Sequence, residues 1–520
     1  MINSMGLMIS SMKLSAVAAA GSRRRCLWLL VLVCWLHGCV STPEVAFRDP
    51  ALRECAGVYQ TLSRQVELAG VRDAAFHRLA GFPYLRSSRF LGSFAPQLDT
   101  ADYRQVEQWL QHLNQLAVEG LLLESLQLPR QSLSQAGLPA SAGELDDRLR
   151  SCGALLVADL SRRPAPVAAV VARARPADRY QVWKRWLGLY PLSALPFRRG
   201  VVNEHRHIQS LEQAHYRSAG ASRQQPFNRY APAPGGPVSE AVTRLRRAAR
   251  DSLGIPRLSP ADRQRLLAAW APAWQVEARD DNDRIGELFW GADGGIGLNP
   301  DRPKVYTFVT FGRYHGEVTV QLNYSVWFSG REPNGRFDLL AGRLDGLIWR
   351  VHLLPSGQVL AADSIHNCGC WYQLYPAPAY RAEVANRLYR EPMFIGASGH
   401  IDFTRPLTLT LQANTHLLLA VENHRRVHES ARVLQAMPYN ELRALPLPEG
   451  GRRSLFAENG LVPASRRAER WLFWPMGVAS PGAMRIIGTH ATAFIGRRHF
   501  DDPDLLNLLL PENNIGSDRQ

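Results

Sequence analysis

Two periodicities divide this chain. From Pro50 to about Val202, apolar residues recur at steps of three and four. Cys55, Tyr59, Leu62 and Val66 form one such run, and Tyr103, Val106, Leu110 and Leu113 another. That spacing puts each set on one face of a helix and predicts a buried stripe. Glu144 to Leu160 and Asp178 to Leu189 read as further helices, punctuated by Pro164, Pro166, Pro191 and Pro196. Thr100 is placed to cap the second helix, and Gly120 to weaken its end. Val238 to Leu253 reads as a basic helix, and Ser259-Pro260-Ala261-Asp262 opens another with a hydroxyl cap, a first-turn proline and an acid.

From Val276 onward the period becomes two. Val305 to Phe311, Val318 to Phe328 and Gly346 to Leu354 are rich in β-branched and aromatic residues. Pro355-Ser356-Gly357 is a hairpin turn before Gln358 to Asp363, and Phe403 to Leu411 and His416 to Glu422 continue the pattern. Leu434 to Ser465 reads mostly as loop. Trp471 to Pro475 and Ala491 to Ile495 read as last strands, and Asp504 to Leu510 as a short terminal helix. Most strands lack helix-length crossovers between them, which predicts antiparallel pairing. The fold class is therefore α+β: an N-terminal α-helical domain, then a mainly antiparallel β sheet or sandwich. The expected divisions are a leader at 1–38, a tether at 39–49, helices at 50–219, a Pro/Gly-rich linker at 220–237, short helices at 238–275 and the β domain at 276–520.

The leader changes the picture. Arg23-Arg24-Arg25 precedes Cys26 to Trp35, an apolar run of about ten residues that suits a signal peptide and falls short of the roughly twenty a spanning helix needs. Leu36-His37-Gly38-Cys39 resembles a bacterial lipobox, with His37 an unusual choice there. The resemblance implies diacylation of Cys39 and an outer-membrane address facing the periplasm, since Val40 rather than Asp follows. Formal charge is +15; Lys13 and Arg23 to Arg25 leave with the leader, so the mature chain carries +11. That charge is spread as single arginines, which argues against nucleic acid and also suits an ordinary solvated surface; the envelope address favours anionic lipid or polysaccharide instead. Of seven cysteines, Cys26 and Cys34 lie in the leader and Cys39 is the lipid site. Four remain, an even number for an oxidising compartment, and Cys55 with Cys152 is the first expected disulfide.

Candidate chemistry gathers in two stretches. Asp363 to Tyr372 packs a carboxylate, His366, Cys368 and Cys370 at a strand's end. These cysteines are open to a mutual disulfide, to zinc ligation with His366 and His490, or to the role of thiol nucleophile. In the second, His490 to Asp502, His499 with Asp501 or Asp502 has the form of an oriented general base. Arg497 and Arg498 add paired donors for an anion. A surface turn explains the same residues. Tyr324, Trp327, Phe328, Trp349, Trp371, Tyr372, Trp471 and Trp474 would line a sugar groove or, as is commoner in a β domain, fill a core.

Gln321 to Phe328 through Asp363 to Cys370, and Trp474-Pro475-Met476-Gly477 through His490 to Phe494 and Arg497 to Asp502, resemble a family of uncharacterised proteobacterial envelope lipoproteins. The resemblance covers chiefly the C-terminal half and carries no activity. It implies that the two polar stretches share one site. Two functions follow: an envelope protein binding a polysaccharide or protein partner without catalysis, or a zinc hydrolase joining His366, Cys368 and Cys370 to His490, His499 and Asp501.

Overall fold

A computed structural model describes residues 47–98, 102–217, 226–380, 382, 392–423, 430–492 and 496–510. The helical region opens with α1 (Pro50–Ala69), started by Pro50 and by the Asp49 carboxylate, which accepts from the Ala51 N–H at 2.8 Å. It ends at Gly70 in the left-handed conformation. The predicted stripe of Cys55, Tyr59, Leu62 and Val66 is buried. Next, α2 (Tyr103–Ser125) is capped by Asp102; Thr100 lies outside the described residues. The helix does not weaken at Gly120. A Cβ there would stand 2.0 Å from the Arg86 guanidinium, so the glycine clears room for a buried cation beside the helix.

Ser141 caps α3 (Ala142–Leu160), and the Cys55–Cys152 disulfide joins α1 to α3 as expected. Pro164 opens α4 (Pro164–Arg173) rather than breaking it, because a first-turn proline lacks only an N–H that would have no partner. Asp178 to Leu189 yields only α5 (Val182–Leu187). A long helix, α6 (Tyr190–Arg217), then carries Pro196 inside it, where a break was expected. Two short helices follow, α7 (Val238–Arg247) and α8 (Pro260–Ala269), the latter capped by Ser259 as its sequence predicts.

Eleven strands of the described residues make one sheet. They are β1 (Phe227–Pro232), β2 (Ala273–Glu277), β3 (Lys304–Tyr314), β4 (Glu317–Arg331), β5 (Gly342–Leu353), β6 (Val359–His366), β7 (Gln373–Pro376), β8 (Phe394–Ile395), β9 (Leu407–Leu411), β10 (Leu418–Asn423) and β11 (Arg432–Pro438). Their order is β8-β7-β6-β5-β4-β3-β11-β1-β2-β9-β10. The run from β7 to β3 is antiparallel throughout, as are β1–β2 and β9–β10. The joins of β3 to β11, β11 to β1, β2 to β9 and β7 to β8 are parallel.

Two strands stand where loop or linker was expected. Residues 227–232 pair within the sheet instead of linking domains, and 432–438 lie between β3 and β1. Each buries a single side chain, Tyr230 or Leu434, so neither shows a period of two. Backbone pairing alone places them. Conversely, Trp471 to Pro475 forms no strand. It lies in two 3-10 turns, Ala468–Trp471 and Trp474–Met476, the second ended by Gly477 at φ 85°. Ala491 makes one isolated bridge to His499, and 493–495 fall outside the described residues.

The sheet is covered on both faces. Val320, Leu322, Tyr324, Val326 and Phe328 of β4 pack with Ala241 and Leu245 of α7 and Leu266 of α8. Trp327, pointing the other way, packs with Tyr439, Phe456 and Met484. Because β4 is buried on both sides, its polar residues Gln321, Asn323 and Ser325 are buried too. The terminal helix α9 (Leu505–Leu509) closes against Tyr314 and Ile365.

Candidate functional site: a buried ionic block under an aromatic cleft

Asp345 of β5 lies at the centre of the larger polar cluster, with no solvent exposure. His416 Nδ1 lies 3.0 Å from its carboxylate, and Arg467 Nη2 3.4 Å. Burial pushes this carboxyl up, but the Arg467 guanidinium and the two imidazoles of His366 and His416 outweigh it and hold it well below the usual range. His416 itself sits between two carboxylates, with Nε2 3.5 Å from Asp283, and stacks on the Phe328 ring at 3.8 Å. Burial works against its charge. The two carboxylates win, and its pKa is raised.

His366 ends β6. Its Nδ1 is 3.6 Å from Asp345, too long for an ordinary hydrogen bond, and its ring lies 4.7 Å from that of Trp371. Burial keeps this imidazole neutral by lowering its pKa. The following turn is fixed by Asn367. Its amide exchanges contacts with the Ser325 hydroxyl at 3.3 Å, and its carbonyl accepts from Arg485 N–H at 2.9 Å and His490 Nε2 at 3.2 Å. Gly346 makes room for that amide; a Cβ there would lie 2.4 Å from Nδ2.

The two predicted stretches therefore touch, through Asn367 and His490. They do not converge on one set of reactive groups. Strand alternation sends Asp363 and His366 to opposite faces of β6. Asp363 faces Arg350, its directly opposite residue on β5, in a two-pronged pair at 2.9 and 2.6 Å. The Tyr372 hydroxyl donates to the same carboxylate at 2.8 Å, and His352 approaches to 3.2 Å. Arg350 also donates to the Phe500 carbonyl and lies 3.5 Å over its ring. Asp363 is consequently held far below its usual pKa: burial raises it, and Arg350 more than reverses that.

Cys368 and Cys370 are both free and buried. Contact with the Cys368 sulfur, followed by burial, pushes the Cys370 thiol well above its usual value, so it stays protonated at neutral pH. His490 is pushed down to about 3 by burial and then by Arg485. Its Nε2 donates to the Asn367 carbonyl. Among the described residues no group of three or more His, Cys, Asp or Glu side chains is disposed to hold a metal ion. His366, Cys368 and Cys370 share one turn, and His490 packs against it through the Asn367 carbonyl.

His499 pairs with Asp178 at 3.4 Å and Asp502 at 3.6 Å, and not with Asp501, whose carboxylate lies 3.4 Å from Arg89. Burial lowers the His499 pKa, but these two partners raise it overall; Asp501, by contrast, is raised by burial. Asp178 was invisible in the sequence because it lies 321 positions before His499. Asp283, Asp345, His416 and Arg467 were missed for a related reason: they are far apart in the chain and meet only in the fold.

One open feature adjoins this block. The segment 466–470 alternates. Arg467 and Glu469 turn inward, where burial raises Glu469 to about 7. Arg466 and Arg470 turn outward and line a cleft of about 450 Å³ with Trp183, Lys184, Trp471 and Trp474. Arg470 lies 4.9 Å over the Trp471 ring, and Lys184 5.6 Å over Trp183. Of the eight aromatics singled out in the sequence, Tyr324, Trp327, Phe328, Trp349 and Tyr372 are core, whereas Trp471 and Trp474 reach this cleft. No family model, curated protein or solved structure matches the chain.

Proposed function

We propose that this chain is a lipid-anchored protein of the bacterial envelope, tied by diacylated Cys39 to the outer membrane on its periplasmic side. Its role is binding or structural rather than catalytic, with an envelope protein or polysaccharide as partner. The observation that carries the reading is the Cys55–Cys152 disulfide, which suits a compartment where thiols are oxidised. The lipobox-like Leu36 to Cys39 and the short apolar leader before it give the route there. Cys39 itself lies outside the described residues.

A non-catalytic role rests on the ionic block. Its imidazoles are buried and neutral or locked between carboxylates, and the Cys370 thiol is held protonated. A nucleophile needs the opposite: a lowered pKa and access to substrate. The zinc-hydrolase alternative draws no support from the placement of His366, Cys368, Cys370 and His490.

Mass spectrometry of the mature amino terminus tests the anchor. Residue 39 should carry a diacylglycerol, and Cys39→Ser should remain at precursor mass. An unmodified residue 39, or a Cys39→Ser chain processed as before, would overturn the reading.

A further inference from the structure

Nine of the eighteen large apolar side chains exposed among the described residues fall within 182–195 and 471–472. Trp186 is 79 % exposed, Trp471 71 % and Leu187 69 %. Single exposed apolar residues are ordinary; a contiguous set marks a surface meant to be covered. The set is contiguous here because α5 packs on the 3-10 turn Trp474–Met476. Arg185 fastens the two, donating to the Met476 carbonyl at 2.9 Å and the Gly496 carbonyl at 2.7 Å while stacking on Tyr180 and Tyr190. Gly188 lets them meet closely, since a Cβ there would stand 2.4 Å from Pro475. The face is therefore preformed.

Its chemistry selects the occupant. Trp, Leu and cationic side chains together are the composition of a helix lying in a membrane interface, where indoles sit at headgroup level and cations reach phosphate. Lys184, Arg466 and Arg470 line the cleft with the tryptophans, and among the described residues no carboxylate does. A polysaccharide groove would present carboxylate or amide acceptors to sugar hydroxyls; among the described residues this cleft presents three cations and the Ser480 hydroxyl, and neither of those acceptors. We propose that this face seats on an anionic phospholipid leaflet, with Trp183, Trp186, Leu187 and Trp471 among the acyl chains and Lys184, Arg466 and Arg470 on the phosphates. The inference rests on the envelope location proposed above. It adds an orientation: the cleft side of the molecule lies against the membrane.

The test uses the full-length protein in vesicles, with an environment-sensitive fluorophore on Leu187→Cys or, as control, on Leu68→Cys, which is 74 % exposed on α1. Cys368 and Cys370 are buried and stay unlabelled in the folded chain. With phosphatidylglycerol vesicles, emission from position 187 should shift to the blue and brighten about threefold, as expected for a dye entering the acyl boundary. Position 68 should stay aqueous. Pure phosphatidylcholine should give a weaker response, and so should the charge reversal Lys184→Glu/Arg466→Glu/Arg470→Glu. Water-like emission at 187 in protein that floats with the vesicles overturns this inference while leaving the lipid anchor standing. Failure to float with an unmodified residue 39 strikes the anchor, and the response at 187 in excess of that at 68 on adding vesicles still reads the face, because dye on Cys39 or the leader cysteines is common to both proteins. A blue shift without vesicles that grows with protein concentration would assign the face to a second copy of this chain and also overturn the proposal.

Discussion

His490 shows what burial does to a titratable side chain in this protein. Its Nε2 donates to the Asn367 carbonyl, and burial with the nearby Arg485 holds its pKa at about 3, against 6.5 for an exposed imidazole. The sign follows from which state binds the proton. Above pH 6.5 the ring is neutral folded or unfolded, and the stability from its placement is complete. As pH falls below 6.5 the unfolded chain takes up a proton that the folded chain refuses, so stability declines toward pH 3. Each pH unit costs at most about 1.4 kcal/mol from this one group. His490→Gln should remove that slope, so the variant loses less stability than the wild type between pH 6.5 and 4. Parallel urea midpoints for the two proteins across that range would defeat the argument. At this scale the sequence was half legible. His366, Cys368, Cys370 and His490 stood out by residue type and do lie together, but Asp363 leaves them because alternation along β6 sends it to the Arg350 side. Asp345 and His416 carried no local signal; each acquires meaning only when β5 and the turn before β10 bring it to the other.

Among the elements, the disulfide is the plainest tie. Cys55 and Cys152 are 97 residues apart and pin α1 to α3. Closing a loop of that size removes enough unfolded-state entropy to contribute about 2–5 kcal/mol. Cys55→Ala/Cys152→Ala should lower the free energy of unfolding by that amount, read from the denaturant midpoint. Dithiothreitol added to the wild type should reproduce the loss. A midpoint unmoved by either would mean the tie contributes nothing. Elements with a buried stripe were legible in advance: α1, α2 and α3 from three- and four-residue spacing, and β3, β4, β5 and β6 from β-branched and aromatic alternation. β1 and β11 were not, because each buries one side chain and gains its place from neighbours on both sides. Their hydrogen bonds close the gap between β3 and β2, and that closure turns two runs of strands into one sheet.

Across the whole molecule, one arginine welds the helical region to the segment behind the sheet. Arg443, fully buried on the 3-10 turn Tyr439–Arg443, grips the Asp73 carboxylate with Nε at 3.0 Å and Nη2 at 2.7 Å, and also reaches Glu119 of α2. The Asp73 N–H donates in turn to Glu124, whose carboxylate holds Arg78 and Arg86 at 2.6 and 2.7 Å. The contact spans 370 positions, which is why no reading of local pattern finds it. Burial would raise the Asp73 pKa; Arg443 reverses this and lowers it. Arg443→Ala therefore strands a buried carboxylate and should cost about 3–5 kcal/mol. The loss should be largest at neutral pH and shrink as pH falls through the carboxylate range, because protonating Asp73 relieves the unpaired charge. Hydrogen exchange separates a weld from a local patch. If Arg443 joins the two regions, amides of α1, α2 and β4 should all exchange faster in the variant. Faster exchange confined to 439–443, with α2 and β4 protected as before, would show that the helices and the sheet hold together without it.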